Sequence, residues 1–339
     1  MSRVMVMMSG GVDSSVAAAT LRDEGHDVTG VTLKLWGGES DSGCCSAADV
    51  EDARRVAAQL GIPHYVFNFT DDFDAHVVAP YVEAYASGET PNPCVECNRT
   101  MKFGRVLERA GQLGFEEVAT GHHARVVTRP HGAAIARGVD AAKDQSYVLY
   151  MLGPSEIART RLPIGEMTKV EVRERAHALG LRTADKRESM DVCFITHGGR
   201  AAFLGNRIGR RPGAIVDTSG AEVGTHDSVS KFTIGQRRGT GVAVGERTYV
   251  VDIEPDTATI TVGPREALLR DHVRLRDVVF ARTPPDEVIV QTRAHGRPFP
   301  ARLANDNTLL FDTPQSRVAP GQIVVCYDGD VVLGGGIAT

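Results

Sequence analysis

The sequence contains 339 residues, of which 42% are hydrophobic and 24% are charged, and its formal net charge at pH 7 is −5. This composition is typical of a globular chain and excludes a disordered one, and no apolar run reaches the ~20 residues needed to span a membrane. A globally basic surface is also excluded, so a polyanionic partner requires a local basic region. The N-terminus has no secretory pattern, and we therefore expect a cytoplasmic protein of two or three domains.

Residues 1–200 alternate between strand and helix patterns, which predicts an α/β fold with a doubly wound parallel sheet and helices on both faces. Ser46 is expected to cap the second helix and Gly61 to end it. The predicted strands are 3–8, 27–35, 64–69 and 116–121, and the predicted helices are 14–25, 46–61 and 100–114.

Beyond Arg200, helical periodicity fades and short β-type runs separated by glycine and proline begin. The runs after residue 268 predict an all-β module, a small barrel. We therefore expect three domains, at residues 1–200, 201–267 and 268–339.

The stretch MMSGGVDSS, Met7–Ser15, lies between the first predicted strand and helix. Gly10 and Gly11 allow a tight turn that brings backbone N–H groups to an anion, and the helix start adds its positive dipole end. Asp13 fits such a site only if it orients the loop or meets a magnesium ion. A kinase-type GxxxxGK[ST] loop is absent from the sequence, and the structural alternative is an ordinary serine-capped glycine turn. Hydroxyl donors are available from Ser9, Ser14 and Ser15.

The motif SGGVDSS resembles the pyrophosphate loop, or PP-loop, of the ATP pyrophosphatase superfamily. This resemblance implies that the loop holds the leaving pyrophosphate while adenylate is transferred to a substrate oxygen. A lysine on the γ-phosphate is then not required, because the bond that breaks lies between the α- and β-phosphates.

Six cysteines occur, and a disulfide framework is not expected in a cytosolic chain of this length. Two lie in polar, basic contexts: Cys97 before Asn98, Arg99 and a predicted helix, and Cys193 shortly after Lys186 and Arg187. From the residues alone, two metal sites are candidates: zinc bound by Cys94 and Cys97, with Cys44 and Cys45 or a histidine completing the site, or an iron–sulfur cluster on Cys94, Cys97 and Cys193. The other candidates are buried structural residues, such as Cys326, and a thiol pair that carries sulfur.

The chain as a whole resembles the tRNA-specific 2-thiouridylases, from about Val4 to the C-terminus. The motifs that carry the resemblance occur in family order: MSGGVDSS, TPNPCVECNRTMKF, ATGHHARV, GVDAAKDQSYVLYML, DVCFI, FTIGQRRGTG and PGQIVVCYDGDVVLGGGIA. It implies a PP-loop ATP-binding and catalytic domain, a small tRNA-binding central domain and a C-terminal β-barrel.

The implied reaction replaces the 2-oxygen of the wobble uridine of tRNA with sulfur, using ATP with magnesium. By the motif match, Cys193 receives a persulfide from a sulfur-relay or cysteine desulfurase protein. Cys97 is the second essential thiol, a nucleophile that forms a transient disulfide with Cys193. The residues implied to hold ATP are Met7, Met8, Ser9, Gly10, Gly11, Val12, Asp13, Ser14, Leu33 and Gly121.

One departure from the family concerns Cys94, since many relatives carry aspartate at this position as NPD. If that aspartate is a general acid or base, another group acts here, or Cys94 itself takes part in sulfur handling or cluster binding.

The resemblance also implies contacts with the anticodon stem-loop of tRNA, whose wobble base must leave its stack to react. For His122 a buried, satisfied histidine is the structural alternative, and for Asp144 a helix cap. The implied contacts are Asn92, Pro93, Cys94, His122, Lys143, Asp144, Gln145, Arg293 and Gln322.

Local charge supports an RNA partner independently. Between Arg200 and Arg247 there are eight Lys or Arg residues and four acids, a local charge of +4. Phosphate contacts from this segment, and from GQRRGTG in particular, would make binding salt-sensitive.

Two other functions compete with tRNA thiolation by a monomeric enzyme. An ATP-pyrophosphatase ligase acting on a small molecule would not need two thiols, and a nucleotide-binding RNA-binding module without chemistry would need neither. The presence of Cys97 and Cys193 favours the thiolase.

Overall fold

The computed structural model describes residues 1–36, 46–187, 192–195, 199–242 and 247–339. Its N-terminal part is built on a five-stranded parallel sheet of order β3-β2-β1-β4-β7. The predicted doubly wound sheet is thereby confirmed. The strands of this part, including the antiparallel hairpin β5–β6, are β1 Arg3–Met7, β2 Asp27–Lys34, β3 His64–Asn68, β4 Glu117–Ala119, β5 Ala124–Arg129, β6 Gly132–Arg137 and β7 Thr160–Arg161.

Strand β1 lies at the centre of this sheet, between β2 and β4. The chain progresses from β1 outward to β3 and then returns to the other side of β1 for β4. Ligands of open α/β sheets bind at this reversal, beyond the carboxyl ends of the strands. The loop after β1 therefore occupies the position where a ligand is expected.

The side chains of β1 alternate between the two faces of the sheet, so the interior has two hydrophobic layers. Val4 and Val6 pack into one hydrophobic cluster with α-helical residues, whereas Met5 and Met7 pack into another on the opposite face. The second cluster extends to Tyr327 near the C-terminus, so it joins the first and last parts of the chain.

The three predicted helices are present, the first and third with different bounds, and the structure has further helices that were not predicted. Ser46 and Asp49 form a reciprocal capping box, and Gly61 ends the same helix at φ +69°, as predicted. The first helix begins at Val12, two residues before the predicted start. The α-helices are α1 Val12–Asp23, α2 Ala47–Leu60, α3 Thr70–Phe73, α4 Ala79–Ala86, α5 Pro93–Glu96, α6 Val106–Gln112, α7 Pro154–Ala158, α8 Lys169–Ala178 and α9 Gly199–Ile208.

The predicted start of a helix at residue 100 is wrong by seven residues. Asn92 accepts a hydrogen bond from the backbone N–H of Cys94, and Pro93 occupies the first helical position. The helix then passes into a π-helical stretch, Cys97–Arg105, and continues as α6. A second π-helical stretch, Asp74–Val78, joins α3 to α4.

The C-terminal parts are β-rich, as predicted. A four-stranded sheet has the order β10-β11-β8-β9 and is followed by a closed antiparallel barrel of β12-β15-β14-β13-β16-β17, in which β12 also pairs with β17. Helix α9, which precedes them, was not predicted. The strands are β8 Gly213–Val216, β9 Glu222–His226, β10 Tyr249–Glu254, β11 Thr259–Gly263, β12 Leu269–Phe280, β13 Glu287–Gln291, β14 Phe299–Leu303, β15 Thr308–Ser316, β16 Ile323–Asp328 and β17 Val331–Ala338.

The hairpin β5–β6 joins the N-terminal part of the chain to the C-terminal barrel, because Ala136 pairs with Val331 of the barrel. Of the helices in the described ranges, none combines the length and apolar character that membrane spanning requires.

Candidate active site

The loop after β1 depends on two glycines at close backbone contacts. Gly10 has φ +73°, and a Cβ at this residue would lie 2.3 Å from the carbonyl oxygen of Asp49. A Cβ at Gly121, after β4, would lie 2.6 Å from the backbone nitrogen of Ser14. Larger residues would therefore displace the loop from α2 or from β4.

The serines of the loop hold the loop itself. The Ser14 hydroxyl accepts a hydrogen bond from the backbone N–H of Ser9 at 3.1 Å and lies 3.2 Å from the Gly11 carbonyl oxygen, to which it donates. Ser15 donates to the same carbonyl at 2.8 Å. The Ser9 hydroxyl lies 3.3 Å from that of Ser14, so the three predicted hydroxyl donors all take part in the shape of the turn.

The amino end of α1 can accept an anion. Its cap residue is Gly11, which has no side chain to satisfy the N–H groups of the first turn. A helix of this length also carries partial positive charge at that end. Gly10, Gly11 and the first turn of α1 therefore fit a phosphate group.

Asp13 in that first turn is neutralised from a distant part of the chain. Both of its carboxylate oxygens accept hydrogen bonds from Lys169 Nζ at 2.7 Å, and His123 Nε2 lies 3.3 Å from Oδ1. Burial acts to raise the pKa of Asp13, but His123 and Lys169 outweigh it, and the pKa is lowered below 3.8. Of the two predicted roles for Asp13, orienting the loop is the one that this geometry supports.

Sequence reasoning did not identify Lys169, because 156 residues separate it from Asp13. One signal was present: Thr168 and Glu171 form a capping box, so Lys169 occupies the first turn of a helix, where positive charge is unfavourable. The loop thus acquires from α8 a cation that its own sequence lacks.

A second distant lysine holds the other end of the loop. Lys186 Nζ donates to the Gly10 carbonyl at 3.0 Å and pairs with Asp49 and Asp52 of α2 at 2.6 and 2.7 Å. The ammonium of Lys186, which precedes Cys193 in the sequence, is therefore engaged by two acids and a backbone carbonyl.

Leu33 presents its backbone to the same crevice. The Val31 carbonyl accepts a hydrogen bond from Met8, so Val31 points its backbone groups towards β1. Two residues further on, those of Leu33 point to the same side, where β1 has no further paired residue. A nucleobase could therefore bind along the Leu33 backbone. The Leu33 side chain is buried in the hydrophobic core.

Cys97 and Cys193 adjoin one hydrophobic cluster. Cys97 is 8% exposed and lies where α5 passes into the π-helical stretch, a feature common at functional sites. Cys193 is half-buried and packs against the same cluster. Its neighbour Phe194 is inserted between aromatic rings, with centroids 5.4 Å from Tyr81 and 5.7 Å from Phe73.

Cys94 is half-buried on the turn that precedes Cys97. Burial and Tyr85 raise the pKa of Tyr81, and Cys94 contributes in the same direction, so the Cys94 thiol lies within electrostatic range of the Tyr81 hydroxyl. Arg99, which follows Cys97 in the sequence, donates to the Tyr150 hydroxyl at 3.2 Å.

Within the described ranges no disulfide forms, and no three His, Cys, Asp or Glu residues are arranged to hold a metal ion. Cys326 is fully buried in the barrel, and burial raises its pKa to about 12. Cys44 and Cys45, candidates for a zinc site, lie outside the described residues.

The residues implied to contact RNA fall into two groups. Gln322 belongs to the first: the Pro320 carbonyl beside it accepts from Thr90 N–H at 2.7 Å, which places the PGQ turn against the segment that leads to Asn92 and Cys94. Arg293 is exposed, and its guanidinium lies 3.8 Å from the Cβ position of Gly235 in GQRRGTG. Arg237 and Arg238 of that motif are exposed as well.

The second group is largely buried. His122 is 7% exposed and bonds Thr120 at 2.7 Å; burial and Lys102 hold its pKa well below 6.5. Asp144 is 6% exposed, whereas Lys143 and Gln145 beside it retain exposed surface. His122 thus has the features of the buried, satisfied histidine considered as its alternative. Asp144 does not cap the short 3-10 helix Ser146–Leu149, because the N-cap residue is Gln145 and makes no side-chain cap hydrogen bond.

Three family models match successive parts of the chain. A family model described as tRNA methyl transferase HUP domain matches residues 2–197, one described as tRNA methyl transferase PRC-barrel domain matches residues 201–264, and one described as aminomethyltransferase beta-barrel domain matches residues 270–338.

Full-length relatives carry a different description. A protein of Roseiflexus sp. (strain RS-1) named tRNA-specific 2-thiouridylase MnmA is 47% identical, and the match covers 99% of each chain. A protein of Frankia casuarinae with the same name is 49% identical over 98% of each chain. A solved 4-thiouridine synthetase–RNA complex with bound ATP has 18% identity, a TM-score of 0.38 and coverage of 57% of this chain and 44% of that one, an overlap too low to carry an argument.

Proposed function

Since this chain belongs to the tRNA-specific 2-thiouridylase family, we propose that it replaces the C2 oxygen of the wobble uridine of tRNA with sulfur, using ATP. The observation that carries the proposal is the combination of an anion-binding loop at the sheet reversal with two thiols, Cys97 and Cys193, on one hydrophobic cluster. Neither feature alone distinguishes thiolation from other nucleotide chemistry.

The nucleotide would bind along Met7–Ser14, with the Leu33 backbone and Gly121 completing the pocket. The uncapped first turn of α1 fits phosphate oxygens, and Lys169 adds positive charge beside it. When bound, ATP supplies the adenylyl group that makes the uridine C2 oxygen a leaving group. Lys169 and His123 both contact Asp13 and hold its carboxylate in place, and magnesium would accompany the phosphates.

The sulfur step would use both cysteines. The terminal sulfur of a Cys193 persulfide attacks C2, and adenylate leaves with the former C2 oxygen. The Cys97 thiolate then attacks the Cys193 sulfur, which forms a Cys97–Cys193 disulfide and leaves the transferred sulfur on the uridine. A dithiol reductant restores the two thiols, and a sulfur-relay or desulfurase protein reloads Cys193.

The RNA would be held by exposed cations outside the nucleotide loop. Arg293 lies beside Gly235, which belongs to the same motif as the exposed Arg237 and Arg238, and the PGQ turn of the barrel contacts the segment before Cys94. Such contacts predict salt-sensitive binding of an anticodon stem-loop.

Methyl transfer, the activity in two of the family-model descriptions, is less well supported by the site. A methyl transferase needs no phosphate-binding turn and no second cysteine, whereas sulfur transfer with ATP needs both. A ligase that activates a small molecule would use the turn but not the thiols.

The experiment combines an unmodified tRNA transcript, ATP and a persulfide donor, with the uridine C2 oxygen labelled with ¹⁸O. We expect 2-thiouridine at the wobble position and the label in AMP, both by mass spectrometry. Methylated uridine, or thiolation with unlabelled AMP, would overturn the proposal. Replacing Cys326 with Ala serves as a control for loss of a buried cysteine elsewhere.

A further inference from the structure

Asp144 is saturated with hydrogen bonds inside the protein. Its Oδ1 accepts from the backbone N–H groups of Gly138 at 3.1 Å and Ser146 at 3.0 Å, and its Oδ2 accepts from the Ser146 hydroxyl at 2.9 Å and from Arg137 at 2.9 Å. The residue is 6% exposed. A buried carboxylate with four donors offers little to a polyanion and would repel it.

Arg137, which donates to Asp144, also contacts residues of the C-terminal barrel. From its position at the end of β6, the guanidinium stacks 3.8 Å above the ring centroid of Tyr327 and donates to Gln291 Oε1 at 2.7 Å. Its backbone N–H also donates to the carbonyl of Asp330 at 2.8 Å. The planar guanidinium thus bonds Asp144 and Gln291 while it stacks on the Tyr327 ring, and lysine has no planar group that could do the same.

Gln291 continues the connection to the surface. It is 2% exposed, and its Nε2 donates to the backbone carbonyls of Arg293 at 2.9 Å and Ala294 at 2.7 Å. These two bonds fix the turn that follows β13. Arg293 projects from this turn towards Gly235.

We infer that Asp144 is a positioning residue: acting through Arg137 and Gln291, it sets the turn that carries Arg293. The inference rests on the proposed function only for the identity of the ligand, an anticodon stem-loop. In the KDQ segment, only Lys143 and Gln145 would then contact the RNA. Asp144 and Arg137, in the N-terminal part of the chain, would determine the position of Arg293 on the barrel.

The connection has a property that a direct RNA contact lacks. Because Asp144, Arg137 and Gln291 act in series, removing any one of them releases the turn, and removing a second changes little more. A direct contact by Asp144 would instead add its own loss to that of Gln291.

The experiment is a double-mutant cycle with Asp144→Asn and Gln291→Leu. The affinity of an anticodon stem-loop is measured by fluorescence anisotropy at fixed salt. We expect each variant to bind about tenfold more weakly and the double variant to bind no more weakly than the poorer single variant. Multiplied losses would overturn the inference.

A second readout does not depend on RNA. Hydrogen exchange of the backbone amides of residues 292–297 should be faster in each variant without any ligand. Unchanged exchange in a folded Asp144→Asn protein would overturn the inference, and if that variant does not fold, Gln291→Leu with Arg137→Lys tests the same series. If the wild-type protein fails to bind the stem-loop, the proposed function fails, while the exchange data still decide the inference.

Asp330→Asn is the matched control. Asp330 pairs with Arg125 across the same contact between hairpin and barrel, and Arg125 bonds the backbone carbonyl of Arg137 rather than its guanidinium, so neither side chain belongs to the series of side chains. We expect its stem-loop affinity and its amide exchange at residues 292–297 to match those of the wild type.

Discussion

Lys169 donates to both carboxylate oxygens of Asp13 at 2.7 Å, and the two residues stand 156 positions apart in the chain. The pair brings α8 to the first turn of α1. It also removes the negative charge that would otherwise oppose a phosphate there, since Asp13 alone would repel it.

We expect Lys169→Met to slow AMP release by about 100-fold or more, because it removes positive charge at the phosphate site and leaves Asp13 uncompensated. Asp13→Ala should also block adenylation. Lys169→Arg should recover part of the rate, since arginine can still pair with both oxygens. The measurement is AMP and pyrophosphate release in the presence of bound tRNA; an unchanged rate in Lys169→Met would contradict this assignment.

Gly10→Ala should lower the free energy of unfolding by about 2 kcal/mol or more, since it combines a left-handed conformation with a backbone clash. Gly61 is a matched control: its φ of +69° is similar, but nothing lies within 4 Å of its Cβ position. Gly61→Ala should therefore cost about 1 kcal/mol. Urea unfolding of both variants measures the difference, and equal losses would show that the contact with Asp49 is unimportant.

Cys97→Ser and Cys193→Ser should each abolish 2-thiouridine formation, because the proposed sulfur transfer needs both thiols. ATP and tRNA should still bind, since neither serine disturbs the phosphate loop. The test is mass spectrometry of the wobble nucleoside from cells that carry each variant. Normal 2-thiouridine in either would remove that residue from the mechanism, and Cys326→Ala controls for the loss of a cysteine.

His122 should make the protein sensitive to mild acid. Burial and Lys102 lower its pKa well below 6.5. Below pH 6.5, His122 is therefore protonated in the unfolded chain while it is still neutral in the folded protein. The free energy of unfolding therefore falls as pH drops from about 6.5 towards the folded-state pKa. His122→Gln should flatten this fall between pH 7 and pH 5 in urea unfolding. The exposed His131 is the control, and a slope that its replacement changes equally would contradict the prediction.

Local signals in the sequence were sufficient to predict the parallel sheet and the two ends of helix α2. Ser46 and Gly61 act through neighbours within four residues, so their roles can be predicted from spacing. The barrel was also predicted, because alternating β runs and turns are local patterns.

The cations of the site were not predictable in this way. Lys169 and Lys186 reach the loop after β1 only through the packing of α8 and of the segment that follows it, and no spacing rule connects them to Gly10 or Asp13. The helix before Cys97 was placed too late because Asn92 and Pro93 read as a loop, although they form its cap. The burial of Asp144 was also not predictable, because burial cannot be read from a polar motif.

The unequal exposure of the two thiols bears on the order of events in the sulfur transfer that we propose. In that reaction a sulfur-delivering protein would load the half-buried Cys193, whereas Cys97, at 8% exposure, would be shielded from that protein and from dissolved peroxides. Only one accessible nucleophile would then need protection while the enzyme waits for sulfur.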